Sequence, residues 1–135
     1  MSVVLDASAL IALLDADDAH QSTVLDALDD LAGDELLMHP LTVAECFVVP
    51  VAAGREQDLV DALERLRITV DPGTPGDAEG PLRLARLRVA TGLRMPDCCP
   101  IELADRHGSM LVTFHDRQRD RAARLGIAVA PLSDV

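Results

Sequence analysis

Short apolar blocks alternate along this chain with longer stretches in which apolar residues recur every three or four positions. Residues 2–5 read as a buried strand that stops at Asp6. Residues 7–15 follow as a helix that is apolar almost all round, which implies deep burial or a covered surface. Over 21–32, Val24, Leu25, Leu28 and Leu31 make a helical stripe opposed by Asp26, Asp29 and Asp30. A second strand is expected at 35–39. Pro40 then opens a helix to about Ala53, with a bend at Pro50, and Gly54 separates it from a helix carrying Leu59, Val60, Leu63 and Leu66. Residues 68–70 predict a third strand, and Asp71-Pro72-Gly73-Thr74-Pro75-Gly76 is a strong loop signal. A helix over 78–90 is expected to turn Leu82, Ala85 and Val89 inward and Arg83 and Arg86 outward. Residues 97–107 predict another helix, ended by Gly108. A strand at 110–113, a helix at 117–125 and an edge strand at 127–130 complete the pattern. Strands alternating with helices predict an α/β fold: one domain over 1–135, with a short central parallel sheet flanked by helices.

Composition sharpens this picture. At 135 residues the chain can bury roughly two thirds of its unfolded surface. Two Phe and no Tyr or Trp leave the core to Leu, Val, Ile and Ala. No apolar run is long enough to span a bilayer, and Asp6 interrupts any signal-peptide core, so a cytoplasmic protein without membrane contact is expected. Cys46, Cys98 and Cys99 lack the spacing of a disulfide framework or a zinc site and read as small buried hydrophobes.

The net charge of −11 is lopsided. Ten acids and no base precede Arg55, whereas residues 55–135 hold 13 acids against 12 Arg and no Lys. Such a balance supplies no general counterion-release drive for nucleic acid, and there are no aromatic platforms for stacking bases. Any action on nucleic acid must therefore use metal ions and a few arginines, or charge contributed by a partner.

Four acids stand at the edges of short apolar segments: Asp6, Glu45, Asp97 and Asp116. Each has a structural reading. Asp6, Asp97 and Asp116 can cap the helices that follow, and Thr42-Val43-Ala44-Glu45 has the spacing of a capping box. Jointly they have another. Open α/β sheets place their ligand crevice where strands pass into helices, and carboxylates gathered there tolerate one another by sharing a hard divalent cation. Other acid-based α/β chemistries fail. Asp6-Ala7-Ser8 lacks the second aspartate of a haloacid-dehalogenase phosphatase, and the absence of lysine removes both that class and phospho-receivers. Neither a dinucleotide fingerprint, a Walker A sequence nor a G-x-S-x-G elbow is present.

The segments Val3-Val4-Leu5-Asp6-Ala7-Ser8-Ala9-Leu10, Leu41-Thr42-Val43-Ala44-Glu45, Met95-Pro96-Asp97 and Leu111-Val112-Thr113 resemble the PIN-domain family. Their order and spacing are most similar to its VapC toxins. The resemblance implies a Mg²⁺- or Mn²⁺-dependent endoribonuclease, a homodimer, and control by a VapB-like antitoxin. It places Asp6, Glu45 and Asp97 in the acidic site, with Ser8 and Thr113 as polar neighbours of the metal. Glu45 is expected either as a ligand or as the group that holds and deprotonates water. The family commonly puts a fourth acid two residues after the last-strand Thr, where this chain has His115; Asp116, one residue later, is the expected substitute, with His115 the alternative. Arg94 and Arg117 are candidates for gripping RNA phosphates, and the acidic N-terminal half suits a basic antitoxin segment. The competing reading is a catalytically weak module whose role is to bind the antitoxin.

Overall fold

The structure, a computed structural model, describes residues 1–15, 17–30 and 33–131. Strand β1 (Ser2–Leu5) leads into α1 (Ala7–Leu14) and α2 (Gln21–Asp30). Strand β2 (Glu35–Met38) is followed by α3 (Pro40–Ala52) and α4 (Glu56–Arg65). After β3 (Ile68–Val70) come α5 (Gly80–Thr91) and α6 (Met95–His107), then β4 (Met110–Val112) and α7 (Asp116–Arg124). All pairings are parallel and the sheet order is β3-β2-β1-β4.

Alternation along β1 sorts the core into two faces, as the period of two demands. Val3 and Leu5 pack with Met38, Val112, Leu10, Val24, Val43 and Leu59 on one side. Val4 packs with Leu37, Leu111, Ile101, Ala104 and Ala122 on the other. Helices α1–α4 thus cover one face and α5–α7 the other, a three-layer arrangement. Among the described residues no helix is long and apolar enough to cross a membrane.

Local chemistry explains the element ends. The Asp6 side chain accepts from the Ala9 N–H and caps α1. Pro40 takes the first position of α3, where its missing N–H costs nothing, and the His39 ring nitrogen accepts from the Leu41 N–H. Acids in the first turn of α4 and Arg65 in its last turn match the helix dipole. Gly92 ends α5 at φ +70, a left-handed conformation suited to glycine.

Several expectations are corrected. Helix α5 is rotated from the predicted face: Leu84 and Leu87 pack on the core, Val89 is 86% exposed and Leu82 45% exposed, and Arg83 turns toward α6. The reason is a competing charge. Glu102 on α6 draws Arg83 inward, which swings the Leu82–Ala85–Val89 stripe to solvent. The capping box at Thr42–Glu45 does not form, because α3 starts one turn earlier at His39; Thr42 is buried with its hydroxyl unpartnered. The edge strand at 127–130 contracts to a single parallel bridge, Leu111 with Val129, held by Leu111 N–H to Ala128 O and Ala130 N–H to Leu111 O, both 2.9 Å. Helix α6 begins at Met95 rather than Asp97, so Asp97 lies inside its first turn. The expected helical residues Leu31 and Ala32 lie outside the described residues.

Candidate active site

Because all four strands are parallel, their carboxyl ends share one rim. Asp6 follows β1, His39 follows β2, Asp71 follows β3 and Thr113 follows β4. Two groups of acids arise there, and they are neutralised differently.

Asp6 is the centre of the first. Its N–H donates to Val112 O at 3.2 Å, so strand pairing reaches the helix cap itself. The carboxylate sits on a residue only 2% exposed. Oδ1 accepts from Ser8 Oγ at 2.7 Å and the Ala9 N–H at 2.9 Å. Oδ2 accepts from Thr113 Oγ1 at 2.5 Å. Both hydroxyls are themselves oriented, Ser8 Oγ by the Phe114 N–H at 3.0 Å and Thr113 Oγ1 by the His115 N–H at 3.1 Å. Burial pushes the Asp6 carboxyl above its ordinary pKa, and the hydrogen bonds from Thr113, Ser8 and Ala9, with the charge of His115, offset this only in part. His115 Nε2 stands 4.0 Å from Oδ2. No arginine pairs with Asp6 among the described residues.

Asp97 projects from the first turn of α6, with its side chain 32% exposed and Arg94 Nε 3.7 Å away. Its carbonyl accepts from Gln118 Nε2 at 2.8 Å, which ties α6 to α7. Glu45 lies on the second turn of α3 and is exposed. Two thiols register the shared neighbourhood. Burial, then the charges of Asp6 and Glu45, push Cys46 up to about 11. Cys99 is pushed to about 12 by burial, with Glu45 and Asp97 among the contributing charges. Asp116 is the exposed first residue of α7 and His115 is its N-cap, so it is His115 that approaches Asp6. Arg117 reaches the Gly92 carbonyl at 3.4 Å. Among the described residues no three His, Cys, Asp or Glu side chains stand together as a preformed metal-holding group.

Gln118 is a site neighbour that the sequence reading missed. It is buried within an arginine-rich helix, together with Ala122 four residues on. Those two uncharged positions at helical spacing were the available signal for the inward face.

The second group is fully paired. Glu102 and Asp71, both buried, share Arg106, whose Nε donates to Glu102 Oε1 at 2.8 Å and whose Nη2 donates to Asp71 Oδ2 at 2.8 Å. Arg83 Nε adds a bond to Glu102 Oε1 at 3.2 Å, and His107 Nε2 lies 3.4 Å from Asp71 Oδ1. Burial alone would raise Asp71; the hydrogen bond and charge of Arg106, with His107, outweigh it and hold the carboxyl below its usual range.

The molecule is a parallel α/β domain with a buried carboxylate and two hydroxyls placed just past its strand ends. The chain belongs to the PIN domain family, whose sequence model matches residues 3–125. Its fold is similar to that of a chain in a toxin–antitoxin complex from Klebsiella pneumoniae, with TM-score 0.64 and 23% identity over 83% of this chain and 85% of that one. It is also similar to a chain of VapBC2 from Rickettsia felis bound to a DNA fragment from its promoter, with TM-score 0.73 and 13% identity over 98% of this chain and 100% of the other. FitAcB from Neisseria gonorrhoeae gives TM-score 0.68 and 18% identity over 96% of both chains. No curated protein matches the sequence.

Proposed function

We propose that this PIN domain is a Mg²⁺- or Mn²⁺-dependent endoribonuclease acting as the toxin of a VapBC-type pair. The observation that carries this reading is the buried Asp6 carboxylate, raised in pKa and held by the Ser8 and Thr113 hydroxyls but paired with no arginine among the described residues. Buried charges are normally paired or bound to metal, and carboxylates with hydroxyls suit a hard cation. Oδ1 has both acceptor sites filled by Ser8 and Ala9, whereas Oδ2 accepts one hydrogen bond, from Thr113, and retains acceptor capacity for a cation. Asp6, Asp97 and either His115 or Asp116 would hold the ion, with Ser8 and Thr113 fixing Asp6. When bound, the ion supplies Lewis acidity at the scissile phosphate. Glu45 holds or deprotonates the attacking water, and Arg94 and Arg117 bind flanking phosphates.

The antitoxin partner is proposed to dock an apolar helix in the recess of roughly 400 Å³ between α1, α3 and α4, lined by Leu14, Val49, Pro50, Leu59 and Ala62. Its neighbours Val48 and Val51 on α3 are also exposed, and with Leu41 they form the surface proposed for a homodimer.

The test is cleavage of total cellular RNA by purified, antitoxin-free protein with Mn²⁺ or Mg²⁺, beside EDTA and Asp97→Asn controls. Discrete fragments that require both metal and Asp97 are expected. Intact RNA with a folded protein that binds no metal would leave the antitoxin-binding module as the function.

A further inference from the structure

The arginines that follow Asp116 do not spread evenly around α7. Arg117, Arg121 and Arg124, at i, i+4 and i+7, share one face. With Thr91, Gly92 and Leu125 they line a recess of roughly 400 Å³ between α7 and the end of α5. Arg119 lies off this face and reaches back to Thr113 O. In a chain of net charge −11, three guanidiniums line one concavity, and the single carboxylate of Asp120, shared by Arg121 and Arg124, offsets only part of their charge.

Their partners leave donors over. Arg121 uses Nε on the Thr91 carbonyl at 3.0 Å and Nη1 on Asp120 at 2.6 Å. Among the described residues Arg124 meets Asp120 through Nε, at 3.3 Å, and Arg117 bonds the Gly92 carbonyl. Each guanidinium carries five N–H donors, so the recess presents several terminal N–H groups with no protein partner among the described residues. The face runs about 10 Å along α7, long enough to meet more than one phosphate of a strand. It starts beside His115, which approaches Asp6, and Gly92 leads through Leu93 to the turn that carries Asp97.

We propose that the α5–α7 recess is a phosphodiester-binding track in which Arg117, Arg121 and Arg124 hold single-stranded RNA beyond the acidic site. The track rests on the nuclease reading above and extends it away from the reacting phosphate. It accounts for how an acidic protein retains a polyanion: the attraction is confined to one strip.

The experiment is fluorescence anisotropy of a labelled twelve-nucleotide oligo(U) in EDTA over a salt series, with oligo(dT) as a parallel arm. Arg124→Gln is the primary variant, since that side chain is 70% exposed and its loss leaves the fold intact; Arg121→Gln/Arg124→Gln is the second. The salt slope for oligo(U) should fall by about 0.7 for the single variant and about 1.4 for the double. Arg86→Gln, on the exposed side of α5, should leave it unchanged. Unchanged slopes, an equal fall with Arg86→Gln, no binding by the wild type, or an effect confined to oligo(dT) would each overturn the track. Reduced slopes in a protein that cuts no RNA would keep the track and remove the nuclease; metal-dependent cleavage with unchanged slopes would do the reverse.

Discussion

Asp6 and Asp71 occupy equivalent places, each the residue just past a parallel strand and each buried, yet they are compensated in opposite ways. Asp71 meets the fork of Arg106 and the ring of His107 and is held more acidic than usual. Asp6 meets two hydroxyls and one N–H and is held less acidic. A buried ion pair is costly to break, but it asks for nothing from outside. A buried carboxylate held by hydrogen bonds, with only the exposed imidazole of His115 4.0 Å away as a counter-charge, favours a further cation that reaches it. The rim thus divides into a closed half, paired by arginines within the protein, and an open half that has no arginine partner among the described residues.

The largest effect that would sharpen this contrast is on the closed half. Arg106→Met leaves Glu102 with Arg83 and Asp71 with His107 alone and should cost about 3–5 kcal/mol, lowering the melting temperature by roughly 10 °C or more in calorimetry. Next is the orientation of Asp6. Thr113→Val removes the bond to Oδ2 and should weaken Mn²⁺ binding by about 10–100-fold in titration calorimetry, with a loss of about 1–3 kcal/mol of stability from the unpaired buried groups. Unchanged affinity would break the idea that Thr113 tunes the open half. Smaller still, Asp6→Asn in metal-free protein should raise stability at neutral pH by on the order of 1 kcal/mol, a few degrees of melting temperature, while removing any stabilisation by Mn²⁺. A substantial loss of stability instead would mean that Asp6 is a structural anion like Asp71.

The smallest effect is in the pH profile. Asp6 has a folded pKa above the ordinary carboxyl value of 3.8, so its destabilising cost is absent below that value and complete above the raised one. Asp71 has a folded pKa below 3.8, so its contribution is complete above 3.8 and fades as pH falls through the folded value. The melting temperature of metal-free wild type should therefore gain on Asp6→Asn as pH drops toward 3.8. Asp71→Asn should differ most from wild type at neutral pH and converge on it in stronger acid. Parallel wild-type and Asp6→Asn curves would show that Asp6 does not titrate in this way.

Much of the fold was legible because period and punctuation agreed. Val3-Val4-Leu5 before Asp6, Pro40 after β2, and Gly108 after α6 each state a boundary in local chemistry. What was not legible depended on partners distant in sequence. The α5 face was misread because Val89 looks like core until Glu102, supplied by α6, draws Arg83 inward. Thr42–Glu45 has the spacing of a capping box, but His39 and Pro40 start the helix earlier. In the open half, the polar setting of Asp6 by Ser8 and Thr113 follows the expected positions. The buried salt-bridge network had no sequence signature, because Asp71, Glu102 and Arg106 each read locally as loop or helix-surface residues.

The pairing of β1 with β4 also orders events during synthesis. Asp6 and Thr113 are 107 residues apart in the chain, and domains emerge from the ribosome N-terminal end first. A nascent chain that has not yet exposed Thr113 lacks the hydroxyl on Oδ2, the Val112 carbonyl that fixes the Asp6 main chain, and the ring of His115. The polar setting of Asp6 therefore cannot be completed until Thr113 and His115 have left the ribosome, more than a hundred residues after Asp6 itself.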